Sequence, residues 1–510
     1  MCPTTAGLST TRETRVAIIG AGFSGLGMAI RLRQAGIDDF LVLERAADIG
    51  GTWRDNSYPG CAVDVKAHLY SLSFAPNADW TETYASQREI WDYIKRVCAE
   101  HGVLPHVRLG AEVRSGLWDD AAQRWRLETS TGVIEAQFLV SAIGPLSEPA
   151  LPETPGLESF EGRLFHSAQW DHNHELSGKR VGVIGTGSSA AQFIPKIQPT
   201  VEKLTVFQRT PHWTFPRMNR RITKLEQMLY RRFPALQRAV RARQYLYHEF
   251  LGFMVQHSRL LEAVAMLRLR LHVRDPELRT KLTPDYRMGC KRIVVSDDFH
   301  PVLMQPNVDV VTEKIVEISP RGVLTADGAE HALDTLILGT GFRAMPVVDP
   351  LRGRDGDTLT ERWREGRCAY YGTTVAGFPN YFMLVGPNTA TGHTSVLLYA
   401  EAQIGYIVQA LQYLERHQKT SLEVAESAQR FFNDHLRRKL KRTVWLTGGC
   451  NSWYLNDPNG TSVLWPGYTW SFRKALRRFD AENYVLRDAA RCVQPGHAHS
   501  TRRPLASQSS

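Results

Sequence analysis

Several features are missing from this 510-residue chain, and each absence removes a class of protein. No stretch approaches the roughly 20 consecutive apolar residues that a bilayer-spanning helix needs, so no integral membrane segment is expected. The opening MCPTTAGLSTTRETR has no apolar core of the kind a signal peptide requires, which makes the cytoplasm the expected address. Cysteine is scarce, with seven residues (Cys2, Cys61, Cys98, Cys290, Cys368, Cys450 and Cys492) and no CxxC pair. That excludes a disulfide scaffold, a thiol redox centre and a zinc knuckle, and it predicts reduced, structural cysteines. His172 and His174 stand two apart on a polar segment without further ligands, so no metal is expected. No GxSxG elbow is present, which removes one hydrolase class. The net charge of +10 is modest for the length, and arginines crowd Arg231 to Arg274 without a recognisable nucleic-acid module. No nucleic-acid partner is therefore expected, whereas a phosphorylated cofactor would benefit from such a field.

What remains is an ordinary globular composition, 43% hydrophobic and 22% charged, in a chain long enough for two or three compact units. One pattern, an apolar run, a glycine-rich turn and a helical period, occurs twice about 165 residues apart. The first copy is VAIIGAGFSGLGMAIRLRQAG followed by FLVLER, and the second is RVGVIGTGSSAAQFIPKI followed by KLTVFQRT. Both parse as strand, turn, helix and strand, which predicts an α/β protein with two Rossmann-like dinucleotide-binding domains. VRSGLWDD and RWRLETSTGVIEAQFLVSAIG read as antiparallel strands inserted before a closing strand, and PLSEPALPETPGL (Pro145–Leu157) reads as a linker. The leucine- and arginine-rich stretch from about Lys224 to Leu282 reads as a helical insertion. Its segment LYRRFPALQRAVRAR is expected to be a packed helix with a solvated face in preference to a membrane-surface helix. The expected organisation is a tail over 1–14, an FAD-binding domain over 15–145 and 339–494 with a linker at 146–158, an NADPH-binding domain over 159–338 carrying the insertion at about 218–285, and a disordered tail over 495–510.

The two glycine turns differ in the chemistry that follows them. In the first, Gly20, Gly22 and Gly25, with Phe23 and Ser24 between them, let a pyrophosphate approach the backbone at a helix N-terminus. Glu44 ends the next strand, where a carboxylate accepts from both ribose hydroxyls, and this favours FAD or NAD over a 2′-phosphate. In the second, Gly185, Thr186, Gly187, Ser188, Ser189 and Ala190 form the turn and Gln192 follows on the helix, but Gln208, Arg209 and Thr210 stand where the ribose acid would be. A guanidinium in place of a carboxylate suits the 2′-phosphate of NADPH, the alternative being a surface arginine. A chain with both sites passes hydride from NADPH to a flavin. Without CxxC it does not look like a disulfide reductase, which leaves an external acceptor or oxygen.

Two gapped motifs narrow that choice. FEGRLFHSAQWD (Phe160–Asp171) fits FxGxxxHxxxW(P/D) through Phe160, Gly162, His166, Trp170 and Asp171, and GGTWRDNSYPGCAVD (Gly50–Asp64) fits a second signature. Together they resemble the single-chain Baeyer–Villiger monooxygenases, which use FAD, NADPH and O₂. Related N-oxygenating flavoenzymes have a similar histidine segment without Trp170 and Asp171. The similarity runs from about Val16 to about Leu476 and includes TGF at Thr340–Phe342, GPN at Gly386–Asn388 and the pair Ser452 and Trp453.

The resemblance implies that a ketone becomes an ester or lactone through a C4a-peroxyflavin. It implies that Gly51, Thr52 and Trp53 pass the flavin, with Asp64 and Tyr70 near it and Val113 at the adenine, although Tyr70 and Val113 could equally be core residues. Lys291 would meet the 2′-phosphate, and Trp453 would help retain NADP. Arg292 would be the catalytic cation, oriented by Asp64 and stabilising charge on the peroxide and then on the tetrahedral oxygen, the alternative being a solvated arginine beside a lysine. His166 would be structural or conformational, and hinges are expected near Pro145 and Gly341. The ketone pocket would be lined from Cys61–Tyr70, Asn388–Ser395 and Val444–Leu455. Three other readings remain: an N- or S-oxygenating flavin monooxygenase, an NADPH reductase for a partner acceptor, and a nucleotide sensor.

Overall fold

Val16, Ala17 and Ile18 have no exposed surface, because the strand Thr11–Ile19 runs through the middle of a sheet covered on both faces. It lies parallel to Phe40–Leu43 on one side and to Gly132–Ser141 on the other. This computed structural model of the protein describes residues 11–455 and 462–488. The sheet has eight strands, with Val113–Asp119, Arg124–Thr129 and Gly132–Ser141 forming the expected antiparallel meander. Chain from far downstream completes it. Tyr381–Met383 pairs parallel with Gly132–Ser141, Leu351–Arg352 pairs with Val113–Asp119, and the long helix Leu397–Arg416 packs on the first helix, Phe23–Gln34. One apolar core therefore joins residues such as Ile30 and Ile404 from the two ends of the chain.

The second sheet is wholly parallel, in the order Val308–Val311, Lys203–Phe207, Arg180–Ile184, Thr335–Leu338, Arg163–His166. The protein is thus α/β with two Rossmann-like units. The two connections between the units run side by side. Phe342–Arg343 pairs antiparallel with Glu148–Pro149, and Ala150 N–H donates to the Gly341 carbonyl at 2.9 Å. Four helices, Lys224–Arg232, Pro234–His257, Leu260–His272 and Pro276–Lys281, make up the insertion.

Two expectations change. The first strand begins at Thr11, inside the stretch expected to be a tail, because the exposed polar residues Thr11, Arg12 and Glu13 pair with Val133–Glu135 on an extension of the sheet where burial does not select for apolar side chains. Cys290 and Cys450 form a disulfide, with Cα atoms 6.1 Å apart, so these two cysteines are not reduced. Their separation of 160 residues carries no local motif, and only the fold brings them together. Cys61 and Cys98 are buried thiols, and burial pushes both up to about 12. In LYRRFPALQRAVRAR the expected solvated face is present, with Arg231, Arg232, Arg238 and Arg243 exposed, but farther along the insertion Leu246, Phe250 and Phe253 are exposed as well. The expected disordered tail over 495–510 lies outside the described residues.

Candidate active site

The first glycine turn is built by contact as much as by conformation. Gly20 has φ +101°, and a Cβ there would stand 2.7 Å from the Ala142 carbonyl oxygen. A Cβ on Gly25 would lie 2.0 Å from the Gly20 oxygen, so Gly25 permits the helix to sit on the turn and does not face the cleft. The helix Phe23–Gln34 has Gly22 as its N-cap, with no side-chain cap and no acid in its first turn. Its orphan N–H groups and dipole are left to an anion. A cavity of about 480 Å³ opens there, lined by Gly20, Gly22, Phe23, Ser24, Glu44, Gly51, Thr52, Trp53, Tyr70 and Val113.

Glu44 is 5% exposed, and its carboxylate accepts from Ala21 N–H at 2.8 Å and Ala46 N–H at 3.0 Å. Arg54 reaches the same carboxylate from Nη1 at 3.1 Å and also pairs with Asp55. Sequence reasoning missed Arg54. Its position directly after Trp53 in the second signature was the available signal. These residues fit FAD: a pyrophosphate-sized anion site on backbone N–H groups, a fixed carboxylate at the ribose position and an aromatic end. At that end Trp53 Nε1–H donates to the Tyr70 hydroxyl at 3.2 Å, their rings edge to face at 5.5 Å, and burial pushes Tyr70 up to about 12.

Next to the aromatic end, Arg292 and Asp64 meet across 228 residues of sequence. Nε donates to Oδ2 at 2.9 Å and Nη2 donates to the same oxygen at 2.5 Å. The Asp64 carboxylate holds the Arg292 guanidinium above its ordinary range and keeps it charged. The pair opens on a second cavity of about 430 Å³. Each of the three segments expected to line a ketone pocket contributes, through Asp64, Thr391 and Tyr454 among others. Two further contributors were not foreseen. The helix Pro234–His257 supplies Tyr247, Leu251 and Val255, and the segment after the second Rossmann strand supplies Phe215 and Arg217. Arg217 lies over the Tyr84 ring at 5.2 Å, and Lys66 lies over Tyr247 at 4.9 Å.

The second turn repeats the first. Gly185 has φ +105°, a Cβ on it would lie 2.4 Å from the Gly339 oxygen, and Gly187 caps the helix Ser188–Ile197 without a side-chain bond. Thr186 and Ala190 are buried beneath it. Gln208 is also buried, its amide donating to the Lys281 carbonyl at 2.7 Å. Arg209 is exposed beside Thr210. Lys291, which lies over the Tyr286 ring at 5.1 Å, is lowered by burial and then by the positive charge of Arg209. Two cations that repel each other beside an uncapped helix suit the 2′-phosphate of NADPH.

Other expected cofactor residues are placed differently. Gln192 spends its amide on the flavin side of the molecule, accepting from Tyr58 O–H and Ala62 N–H at 3.2 Å and donating to the Ala62 carbonyl at 2.9 Å, so it bridges the two units. Trp453 packs on Tyr454 at 4.6 Å, and the disulfide ties this segment to the loop of Lys291 and Arg292. The FxGxxxHxxxWD residues lie along the edge strand next to the paired connections. Phe160 lies against Gly162, where a Cβ would come within 2.5 Å of its ring, and His166 is 2% exposed with its ring 5.7 Å from Phe342. Trp170 packs on Phe193 at 5.3 Å. Asp171 is lowered by the Asn173 N–H and then by Arg163, whose Nε donates to it at 2.8 Å. None of these five residues lines the two cavities.

A sequence description of the flavin-binding monooxygenase-like family matches residues 13–350. A Baeyer-Villiger monooxygenase of Streptomyces coelicolor is 47% identical over 485 residues, covering 94% of this chain and 93% of that one. Among solved structures, oxidized steroid monooxygenase bound to NADP superposes with a TM-score of 0.82 at 28% identity, over 93% of this chain and 100% of that chain. The OTEMO complex with FAD and NADP superposes with a TM-score of 0.84 at 28% identity, over 93% and 99%.

Proposed function

Since the chain belongs to the flavin-binding monooxygenase-like family and, within it, to the Baeyer–Villiger monooxygenases that use FAD and NADPH, we propose that it inserts one atom of O₂ beside the carbonyl of a ketone. The balanced reaction is ketone, O₂, NADPH and a proton giving an ester or lactone, NADP⁺ and water. The observation that carries this reading is the Asp64–Arg292 pair, held at 2.9 Å between the aromatic end of one cavity and the largely apolar wall of the other. Bound FAD, reduced by NADPH, supplies the activated oxygen.

The chain's own groups do the rest. Gly20, Gly22 and the helix at Phe23 hold the flavin pyrophosphate and Glu44 its ribose. Gly51, Thr52, Trp53 and Tyr70, which line the same cavity, would hold its ring end, and Val113 would contact its adenine. Gly185 to Ala190, Arg209, Thr210 and Lys291 hold NADPH, with Trp453 packed at the same end as the disulfide. Arg292 stabilises negative charge on the carbonyl oxygen as it becomes tetrahedral. It can do so without releasing a proton, and the low-dielectric cavity strengthens the effect. Asp64 fixes its orientation. In this reading the chain from Thr11 to about residue 145, together with the stretch from about residue 339 onward, is the FAD domain, and 159–338 is the NADPH domain. The motif at Phe160–Asp171, placed against the paired connections at Pro149 and Phe342, positions one domain on the other.

The test is a panel of ketones given to the FAD-loaded protein with NADPH in air, scored by mass spectrometry of products against NADPH consumed. One ester per NADPH is expected for at least one ketone. Oxidation of amines or sulfides alone, or NADPH oxidation yielding only reduced acceptor or peroxide, would overturn the reading.

A further inference from the structure

The helix Pro234–His257 is inside out for a surface helix. Its buried positions are Gln237, Gln244, His248 and Gly252. Gln237 donates to the Asn77 carbonyl at 2.6 Å, and His248 Nδ1 bonds the His393 carbonyl at 2.8 Å, so polar side chains are accommodated on the inward face beside Val240 and Tyr245. The outward face carries Leu246, Phe250 and Phe253, exposed by 64%, 58% and 46%. The spacing of four and three puts them on one stripe.

The next helix, Leu260–His272, repeats the arrangement. Leu260, Val264, Leu267 and Leu271 fall at the same spacing and are exposed by 59%, 44%, 58% and 69%. Two such apolar stripes on consecutive helices are uncommon on a protein that meets only water.

Arginine brackets these stripes. Arg238 and Arg243 lie exposed on the first helix, Arg259 at the joint, and Arg270 and Arg274 at the end of the second. Among the described residues none of the five is in an ion pair. Most carboxylates of the segment are engaged: Glu226 with Arg220, Glu262 with Arg287, Glu277 with Lys281, Glu249 accepting from Thr469 N–H at 3.2 Å, and Asp275 accepting from Glu277 N–H at the start of the last helix. The outer face therefore carries apolar stripes with a rim in which exposed arginines outnumber the exposed acids Asp275 and Glu277.

We propose that this face docks on a lipid surface bearing anionic headgroups, the two stripes at the acyl boundary and the arginines at the phosphates. Apolar burial and headgroup attraction act together there. A second copy of the chain is the poorer fit, because a symmetric contact would set arginine rims against each other. The same helix turns Tyr247, Leu251 and Val255 into the wall of the cavity that holds Arg292. Docking thus brings the cavity next to the lipid, and an apolar ketone would load from the bilayer, a consequence that rests on the ketone reading above.

The test uses the full-length, FAD-loaded protein sedimented with phosphatidylcholine vesicles, with and without phosphatidylglycerol as a minor component. At least about 10-fold more protein is expected on the anionic vesicles, with high salt weakening the binding. The triple substitution Leu246→Ser, Phe250→Ser and Leu267→Ser should reduce binding about 10-fold while flavin content and melting temperature stay normal. If that variant misfolds, Arg238→Gln with Arg243→Gln, Arg259→Gln and Arg270→Gln, all exposed and unpaired, should abolish the preference for anionic lipid. Failure of the native protein to bind, equal binding to both vesicle types, or binding unchanged by the substitutions would overturn the proposal. So would a dimer in gel filtration that the triple substitution dissociates without any vesicle binding. If vesicle binding holds and no ketone is oxidised by any form, the ketone reading alone fails.

Discussion

Arg292→Ala removes a permanent positive charge from the wall of the ketone cavity, close enough to Tyr70 at the aromatic end of the flavin cavity to act on it electrostatically. In the native protein, Nε and Nη2 both donate to a single Asp64 oxygen, at 2.9 and 2.5 Å. The rest of the guanidinium's five N–H groups remain for a developing oxyanion. Loss of one preorganised stabiliser of this kind lowers kcat by about 10²- to 10³-fold, roughly 3 to 4 kcal/mol. The loss should fall on kcat. KM for NADPH should hold, because the phosphate is assigned to Arg209 and Lys291, and flavin content should hold, because Glu44 and the first helix do not touch Arg292. Arg292→Lys keeps the charge but not the planar fork, and should recover only part of the rate. Asp64→Ala leaves the arginine charged but free to turn, so its effect should be smaller, about 10-fold, and far from additive with Arg292→Ala. Single-turnover ester formation, with flavin content and melting temperature as controls, reads all three. An Arg292→Ala protein that forms ester at the native rate would refute the reasoning, and a loss confined to KM for NADPH would move Arg292 to cofactor binding.

Arg209→Ala combined with Lys291→Ala should raise KM for NADPH about 10- to 100-fold, roughly 1.4 to 2.8 kcal/mol, and leave NADH kinetics unchanged, as steady-state assays with both cofactors would show. Buried His68, His248 and His300 are each lowered to about 4, chiefly by burial, so they are neutral in the folded state and protonate more readily once unfolded. Their contribution is full above the unfolded value near 6.5 and is lost as pH falls from there towards 4, at about 1.4 kcal/mol per histidine per pH unit, so thermal unfolding midpoints should drop steeply across that window and not between pH 7 and 8. Gly25→Ala should prevent flavin retention, since its Cβ would fall 2.0 Å from the Gly20 oxygen and the helix must move off the turn, which flavin content after purification would reveal. Reduction of Cys290–Cys450, or Cys290→Ser, should lower stability by about 2 to 4 kcal/mol, read as a fall in unfolding midpoint with and without reductant.

How much of this was legible in the sequence depends on the range of the interaction that fixes each residue. Gly20, Gly25 and Gly185 were legible because a strand, a left-handed turn and a helix start within six residues admit little else. Asp64 and Arg292, 228 residues apart, share no local pattern, and only the family resemblance linked them before the fold did. Gln192 shows the converse limit. Its place in the first turns of the helix was read correctly, but the same position reaches Tyr58 and Ala62, and the partner across the interface decides which contact is made. For Pro234–His257 the helical period was legible and its orientation was not. A moment says that two faces differ, not which one is covered. Here the polar face is covered because Gln237 and His248 find backbone carbonyls, leaving Leu246, Phe250 and Phe253 outside. The same inversion sends Tyr247, Leu251 and Val255 to the cavity beside Arg292, so the helix that faces the surroundings also shapes the pocket. Substitutions on it should therefore divide by helical position, with Leu251 and Val255 altering which ketone is accepted and Phe250 and Phe253 altering only where the protein resides.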